Sequence, residues 1–517
     1  MENVKNAPQA PGLVQCAKNP EKTWETAPRD RVFLLLTFGF CLLMVDSVLF
    51  HQPGLGVTLL VFCWHGLSLA YGGRGLLRTR ESRVLLGADL FLALTFALTS
   101  NWWFRLWDLG ALLVLTPLQA LSAQGTLPWW RPAMLRERLA LLLRGLLGSL
   151  GAAPAALRRR DGQGGGRVAA VLAGTAVSLG LLAVLLPVLA DADALFAAVT
   201  WDFLTFFRDH FTTGLWKLCL ALAATPFDFG FLYRLGRPEP LNKLPADRSG
   251  NRDGLGYALV LWSLCGLYLL FLAVQLRGLA GGAAYLAEKG ISYAEWARSG
   301  FFQMVGVTAV NLAAALTALT RSRRTGRCWR LVRGLSVLLA AESLALLASA
   351  CCRMTLYVSV YGLSFKRLMT YWGMGMMAVF LALALWKSLR PDFRFCRTAF
   401  PAALAGWLAV NCVPADYLVA KDQVDRYLSG QSAAMDVEYL AFGLSFDALG
   451  QLERLDPAMG SGRWVPELTE DVGYTLREET VGEILANRRQ DAARACGQWE
   501  SWNLSARLAA GGTGSPG

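Results

Sequence analysis

Histidine is almost missing from this chain: His51, His65 and His210 are the only three in 517 residues, which argues against a histidine-built metal centre. Charge is scarce as well. Asp, Glu, Lys and Arg make up 17% of the residues, against about 25% in a typical soluble domain, so an ordinary globular enzyme is a poor fit. None of the eleven cysteines stands in a CxxC pair, so neither a zinc site nor a disulfide framework is indicated. The glycine run at 162–166 lacks the Gly-Lys-Ser/Thr ending of a phosphate loop and reads as a hinge. No nucleophile stands with a base in a recognisable motif. The sequence therefore names no catalytic residue, no cofactor and no metal, and an enzyme is the last of the classes to consider.

Apolar residues fill the space, at 54% of the chain with a mean hydropathy of +0.38. They fall into runs near the roughly 20 residues that cross a bilayer as a helix. Eleven such runs are predicted, at 32–50, 54–71, 84–100, 106–121, 167–190, 213–233, 254–276, 301–320, 331–350, 368–389 and 398–413. The fold class that follows is all-α: an integral membrane helical bundle of about eleven transmembrane helices. Residues 1–30 form a polar tail, 31–414 the membrane domain, and 415–517 a small, acidic, mostly helical region.

The net charge of +12 is not a nucleic-acid signature, because it lies between the hydrophobic runs. Arginines crowd the connections after even-numbered spans, as in Arg74, Arg78 and Arg80 or Arg321, Arg323 and Arg324, whereas the odd-numbered connections are poor in cations. By the positive-inside rule the N-terminus is then cytoplasmic and the C-terminus extracytoplasmic. From Pro414 onward sixteen acidic residues face nine basic ones, a net of −7 that leaves +19 on the remainder. In that tail Thr475 and Glu478 have capping-box spacing ahead of Val481, Ile484 and Leu485. The stretch 135–150 reads as an amphipathic helix on the inner surface, and Phe196, Val199, Phe203 and Phe207 as one on the outer surface.

An ionisable side chain inside the bilayer needs a partner or a task. Asp46, Asp89, Asp228 and Glu342 are the candidates for an intramembrane relay, with Glu342 nearest the middle of its span. Helix-to-helix hydrogen bonding is the alternative reading for each. Lys217, near a span end, is expected to snorkel to the surface. A candidate outer polar site joins Glu295 and Arg298, three residues apart, to Arg353, Tyr357 and Tyr361, four residues apart. The latter two tyrosines and Gly362 are placed in a polar connection between spans nine and ten. An aromatic and arginine belt at the headgroups is the simpler reading of the same residues.

SYAEWARSGFFQM, SACCRMTLYVSVYGLSFKRL, DVEYLAFGLSFDAL and QWESWNLS, in that order, resemble the signatures of a bacterial polytopic membrane family, domain-of-unknown-function family 4173, whose relative is family 4153. The matching positions are Tyr293, Glu295, Arg298, Gly300, Arg353, Tyr357, Tyr361, Gly362 and Arg367, with Asp436, Tyr439, Trp499, Trp502 and Asn503 in the tail. The resemblance implies a multi-pass protein of the bacterial cytoplasmic membrane and assigns no residue a role. A transport or ion-coupled role with an outward-facing polar site is the leading expectation. A structural or signalling component that binds an envelope partner through its tail is the alternative. The lipid bilayer is the expected partner in both.

Overall fold

The computed structural model of the chain describes residues 24, 26–125, 127–128, 131, 133–157, 213–237, 253–288, 301–469 and 473–511, with scattered helical residues between 174 and 196. Helices dominate. Helix α1 (Pro28–Val45) continues through a π-helical turn at Asp46–Phe50, followed by α2 (Leu55–Gly72), α3 (Arg80–Leu98) and α4 (Trp102–Leu121). Two shorter helices come next, α5 (Ala133–Leu146) and α6 (Ala152–Leu157), then α7 (Thr213–Gly236) and α8 (Leu255–Glu288). Helices α9 (Phe301–Arg321), α10 (Gly326–Tyr361), α11 (Phe365–Leu389) and α12 (Phe395–Asn411) complete the bundle.

Water could not solvate these helices as they stand. Leu35, Leu113, Trp262 and Leu270 are each about two-thirds exposed, and the apolar window of 255–277 buries only 22% of its residues. A surface of that kind belongs against lipid. Among the described residues seven helices are long and apolar enough to cross a membrane, or eight if α12 is taken with the helix after it across a 52° bend. Three predicted spans stand outside that count: 301–320, which is helix α9, together with 84–100 and 167–190. Helix α3 is where the sequence expected it, but Arg80, Glu81, Arg83 and Asp89 make it too polar, and 167–190 lies largely outside the described residues.

Helices α1 to α4 pack with α7, and α8 to α11 pack around a second core that includes Leu261, Leu319, Leu339 and Leu381. Helix α12 touches both groups through α3 and α11. The first helix starts three residues before the predicted membrane domain, and Asp30, assigned to the tail, is fully buried. Its carboxylate accepts from Tyr71 Oη (2.8 Å), Arg237 Nη2 (2.9 Å) and the Ala27 amide (2.8 Å). Helix α5 is amphipathic as predicted, yet it lies against α7 with Glu137 and Arg138 buried. The outer amphipathic helix predicted around Phe203 and Phe207 is outside the described residues.

The C-terminal region caps one end of the bundle. Helix α13 (Ala415–Leu428) leads through short turns to a hairpin of β1 (Gly460–Thr469) and β2 (Gly473–Thr480). Helix α14 (Val481–Gly497) and helix α15 (Leu504–Gly511) follow. The sequence reading missed the hairpin. Thr475 and Glu478 lie in β2, and the capping box is Thr480 with Glu483: Glu483 N–H donates to Thr480 Oγ1 at 3.3 Å and Thr480 N–H donates to Glu483 Oε2 at 2.9 Å. Arg477, donating to the same oxygen at 3.0 Å, does most to pull that exposed carboxyl down to about 2.

The cap is not a separable body. Its core of Val419, Val424, Leu440, Leu449, Leu452 and Ile484 is continuous with Phe104, Phe365 and Val410 of the bundle. A strap at Glu500–Trp502 closes the junction. Leu55 N–H donates to Trp502 O (2.9 Å) and Gly56 N–H donates to Glu500 O (3.0 Å). The approach requires glycine, since a Cβ at Gly54 would stand 2.5 Å from the Ser501 carbonyl carbon. Gly54→Ala is therefore expected to lift the strap at a cost of about 1–3 kcal/mol, the usual penalty of overpacking. A thermal melt of the full chain in detergent, with protease sensitivity of the strap, measures it. Gly39→Ala, where a Cβ meets nothing within 4 Å, is the control, and equal melts for the two variants would remove the strap from the stability of the fold.

Candidate functional site

Between the cap and the bundle end lies a cavity of about 560 Å³, within the range of small-ligand sites. The loop between α3 and α4 forms its floor. There Asn101 caps α4 by accepting from Phe104 N–H (2.9 Å), and its Nδ2 donates to Asp416 Oδ2 at 2.7 Å. Ser445 N–H donates to the same carboxylate oxygen at 3.0 Å. Ser100 Oγ accepts from Phe446 N–H (3.1 Å) and lies 3.0 Å from Ser505 Oγ.

Helix α14 supplies the opposite wall. Arg488 and Arg494 share one carboxylate, Asp491, at 3.4 and 3.5 Å. The Arg488 guanidinium also lies over the rings of Phe446 (4.7 Å) and Phe442 (5.4 Å), the geometry of a cation–π contact. Trp102 and Trp103, the first residues of α4, flank the opening and remain 67% and 44% exposed. The sequence alone assigned none of these residues to a site. A signal was there: Arg488, Asp491 and Arg494 recur every three residues on one predicted helix.

The predicted outer site is only partly in view. Glu295 and Arg298 lie outside the described residues. Arg353, Tyr357 and Tyr361 do follow one another along α10, with Arg353 buried and Tyr361 half exposed. The two tyrosines are not in a connection, since α10 runs unbroken to Tyr361. Gly362, at φ +71°, ends it, and the link to α11 is three residues long. Helix α13 fastens that link. Asp422 Oδ2 accepts from Leu363 N–H and Gln423 Nε2 donates to Leu363 O, both at 2.6 Å. Arg367 lies 4.5 Å above the Tyr357 ring and 6.0 Å from that of Tyr361, and the two rings are 4.8 Å apart.

The four relay candidates each have separate surroundings, and among the described residues no hydrogen bond or ion pair links any two of them. Asp46 is hydrogen bonded to Lys217, which therefore pairs across α1 and α7 rather than reaching for the surface. His51 Nδ1 is 3.5 Å from Asp46 Oδ1, and His51 Nε2 is 4.0 Å from Glu500 Oε2 in the strap. Asp46, His51 and Glu500 bring three metal-capable atoms within 4.8 Å of one another, but the Lys217 ammonium already supplies the cation. Asp89 faces His65 at 3.3 Å, both buried. Asp228 accepts from the Cys41 thiol at 3.3 Å.

Glu342 differs from the other three. It is 3% exposed, on α10 where that helix meets α8 and α9, and among the described residues neither carboxylate oxygen has a hydrogen bond or an ion pair. The Cys265 thiol adjoins it. Ser343 and Asn311 form the neighbouring polar contact, 2.8 Å long. A further buried carboxylate escaped the sequence reading: Asp108 on α4 accepts from Trp407 Nε1 (2.8 Å), Asn411 Nδ2 (3.2 Å) and Thr95 Oγ1 (3.1 Å). Its spacing from Phe104, Leu112 and Leu115, which are all buried, marks it as inward-facing.

Neither a curated protein nor a solved structure matches this chain. A family model does, over residues 86–455, from within α3 to just short of the hairpin. It is the model of the family given above as the relative, so this helical membrane protein belongs to the family described as Domain of unknown function (DUF4153).

Proposed function

We propose that this chain carries out a transport or ion-coupled task in which Glu342 takes up and releases a proton. The observation that carries the reading is a carboxylate inside the α8–α9–α10 core that has neither a hydrogen bond nor an ion pair among the described residues. A charged group there costs at least about 3 kcal/mol, and Asp46, Asp108 and Asp228 each accept a hydrogen bond and Asp89 faces His65 at 3.3 Å, while among the described residues Glu342 has neither a hydrogen bond nor an ion pair. A side chain left in that condition suits a group that changes its charge during a working cycle. Arg353 lies three turns further along the same helix and leads toward the end of the bundle that holds the cap. The outer polar site with Arg353, Tyr357 and Tyr361, joined by Glu295 and Arg298, is part of this proposal, as is the kinship with family 4173.

Difference infrared spectra of the full chain in lipid nanodiscs, stepped between about pH 4 and pH 10, are the test. As the pH falls, a carboxylic C=O stretching band should appear that Glu342→Gln lacks and Asp108→Asn retains. A spectrum unchanged by Glu342→Gln would take this residue out of the mechanism.

The setting we propose is a bacterial cytoplasmic membrane, with the N-terminus inside and the cap outside. The basis is the arginine content of the connections at the end of the bundle opposite the cap, from Arg74 and Arg78 to Arg321 and Arg324. A topology reporter fused after Arg324 should be active only in its cytoplasmic form, and one fused after Asp422 only in its external form. The reverse pattern would invert the orientation.

One feature favours the second reading, a component that binds an envelope protein through its C-terminal region. Trp464 and Leu476 are 61% and 69% exposed, and the register that pairs Trp464 with Glu478 and Pro466 with Leu476 puts them on one face of the hairpin. Such a face is a contact surface in search of an apolar partner. Trp464→Ser with Leu476→Ser should then abolish in vivo cross-links from the hairpin while leaving the melting temperature unchanged.

A further inference from the structure

We propose that the cavity under the cap binds a phosphate-bearing head group that also carries hydroxyl or amine donors. This inference is independent of the Glu342 reading, which concerns a different core of the molecule.

The chemistry of the lining points to that class. Arg488 and Arg494 together bring two positive charges to one carboxylate, so α14 offers the cavity a surplus cation. Guanidinium groups match phosphate oxygens with two parallel donors. Three polar atoms among the lining residues are buried without a hydrogen-bond partner: Arg488 Nε, Ser501 Oγ and Asp416 Oδ1. Buried polar atoms of this kind are rare in folded proteins, and each needs an explanation. Arg488 Nε needs an acceptor, which a phosphate oxygen is. Asp416 Oδ1 needs a donor, because its other oxygen already receives Asn101 and Ser445. Ser501 Oγ can serve either. A simple anion satisfies the arginine and leaves the aspartate unserved. A phosphate bearing a glycerol or an ethanolamine satisfies both.

The position of the cavity adds a second constraint. Trp102 and Trp103 begin a membrane-crossing helix, and Trp103 stacks on Trp107 with ring centroids 6.2 Å apart. Exposed tryptophans at a helix start belong at the depth of lipid head groups. The opening therefore faces the level at which a phospholipid presents its phosphate, and acyl chains can run down past Trp107 and Leu113, both more than half exposed. The same head-group chemistry is also available from a soluble phosphate ester.

The test uses the full chain in detergent micelles and native mass spectrometry with three probes: phosphatidylglycerol, phosphatidylcholine and soluble glycerol 3-phosphate. Phosphatidylglycerol should be retained at least tenfold better than phosphatidylcholine, whose quaternary ammonium has no donor for Asp416. Arg494→Gln should cost about tenfold in phosphatidylglycerol retention with no loss of melting temperature, since that side chain is 71% exposed. Arg488→Lys, which keeps the charge and loses the fork, should show a similar cost. Glycerol 3-phosphate that raises the melting temperature of the parent chain and not of Arg494→Gln would support the same site with a soluble source. Equal retention of the two lipids, or retention that survives both arginine variants, would overturn the proposal.

Discussion

Lipid cannot hydrate a polar group, and the organisation of this molecule follows from that single fact. Every buried charge or amide in the bundle must find its partner on another helix. Those partners come from distant parts of the chain: Asp30 with Arg237, Asp46 with Lys217, His65 with Asp89, Asp108 with Trp407 and Asn411. Apolar packing alone would allow the helices many arrangements, because leucine is as content against lipid as against leucine. The polar pairs are directional and few. They fix which helix lies beside which, and in what rotation.

Against that background Glu342 stands apart because the same requirement is not met there. The cavity under the cap has the same character, with an unpaired arginine nitrogen, an unpaired hydroxyl and an unpaired carboxylate oxygen among its lining. One is deep in a three-helix core and the other at the surface of the bundle, and their chemistry differs accordingly. A lone carboxylate can exchange a proton. A set of mixed donors and acceptors beside aromatic rings can hold a molecule. The matched family region contains Glu342, Asn101, Trp102 and Asp416 but ends before Arg488 and Arg494. The head-group specificity proposed for the cavity thus depends on both matched and unmatched parts of the chain.

Hydropathy alone located the helices well. The second was expected at 54–71 and occupies Leu55–Gly72, and the tenth was expected at 368–389 and occupies Phe365–Leu389. What hydropathy could not supply was partnership, which is a property of packing between segments hundreds of residues apart. Lys217 looked like a snorkelling residue because it lies near a helix end, and nothing local reveals that Asp46 is across from it. The hairpin was overlooked for a different reason. Thr475 and Glu478 have the three-residue interval of a helix cap, and so do Thr480 and Glu483, and only the strand pairing of 464–469 with 473–478 decides between them. Asp108 was legible, since its helical face is otherwise apolar, but a charged residue one and a half turns into a helix is easily read as interfacial.

The strap on Gly54 has a consequence for how the molecule is made. Residues 54–56 are made before every helix from α3 to α14, yet their partners at 500–502 are made only after all of them. The amides of Leu55 and Gly56 therefore wait, through the insertion of every intervening helix, for a contact that spans some 445 residues. Closure of the junction follows the synthesis of everything between its two halves and reports that the intervening chain is present. A ribosome that stops short leaves a bundle with an open end, which quality control in the membrane can recognise.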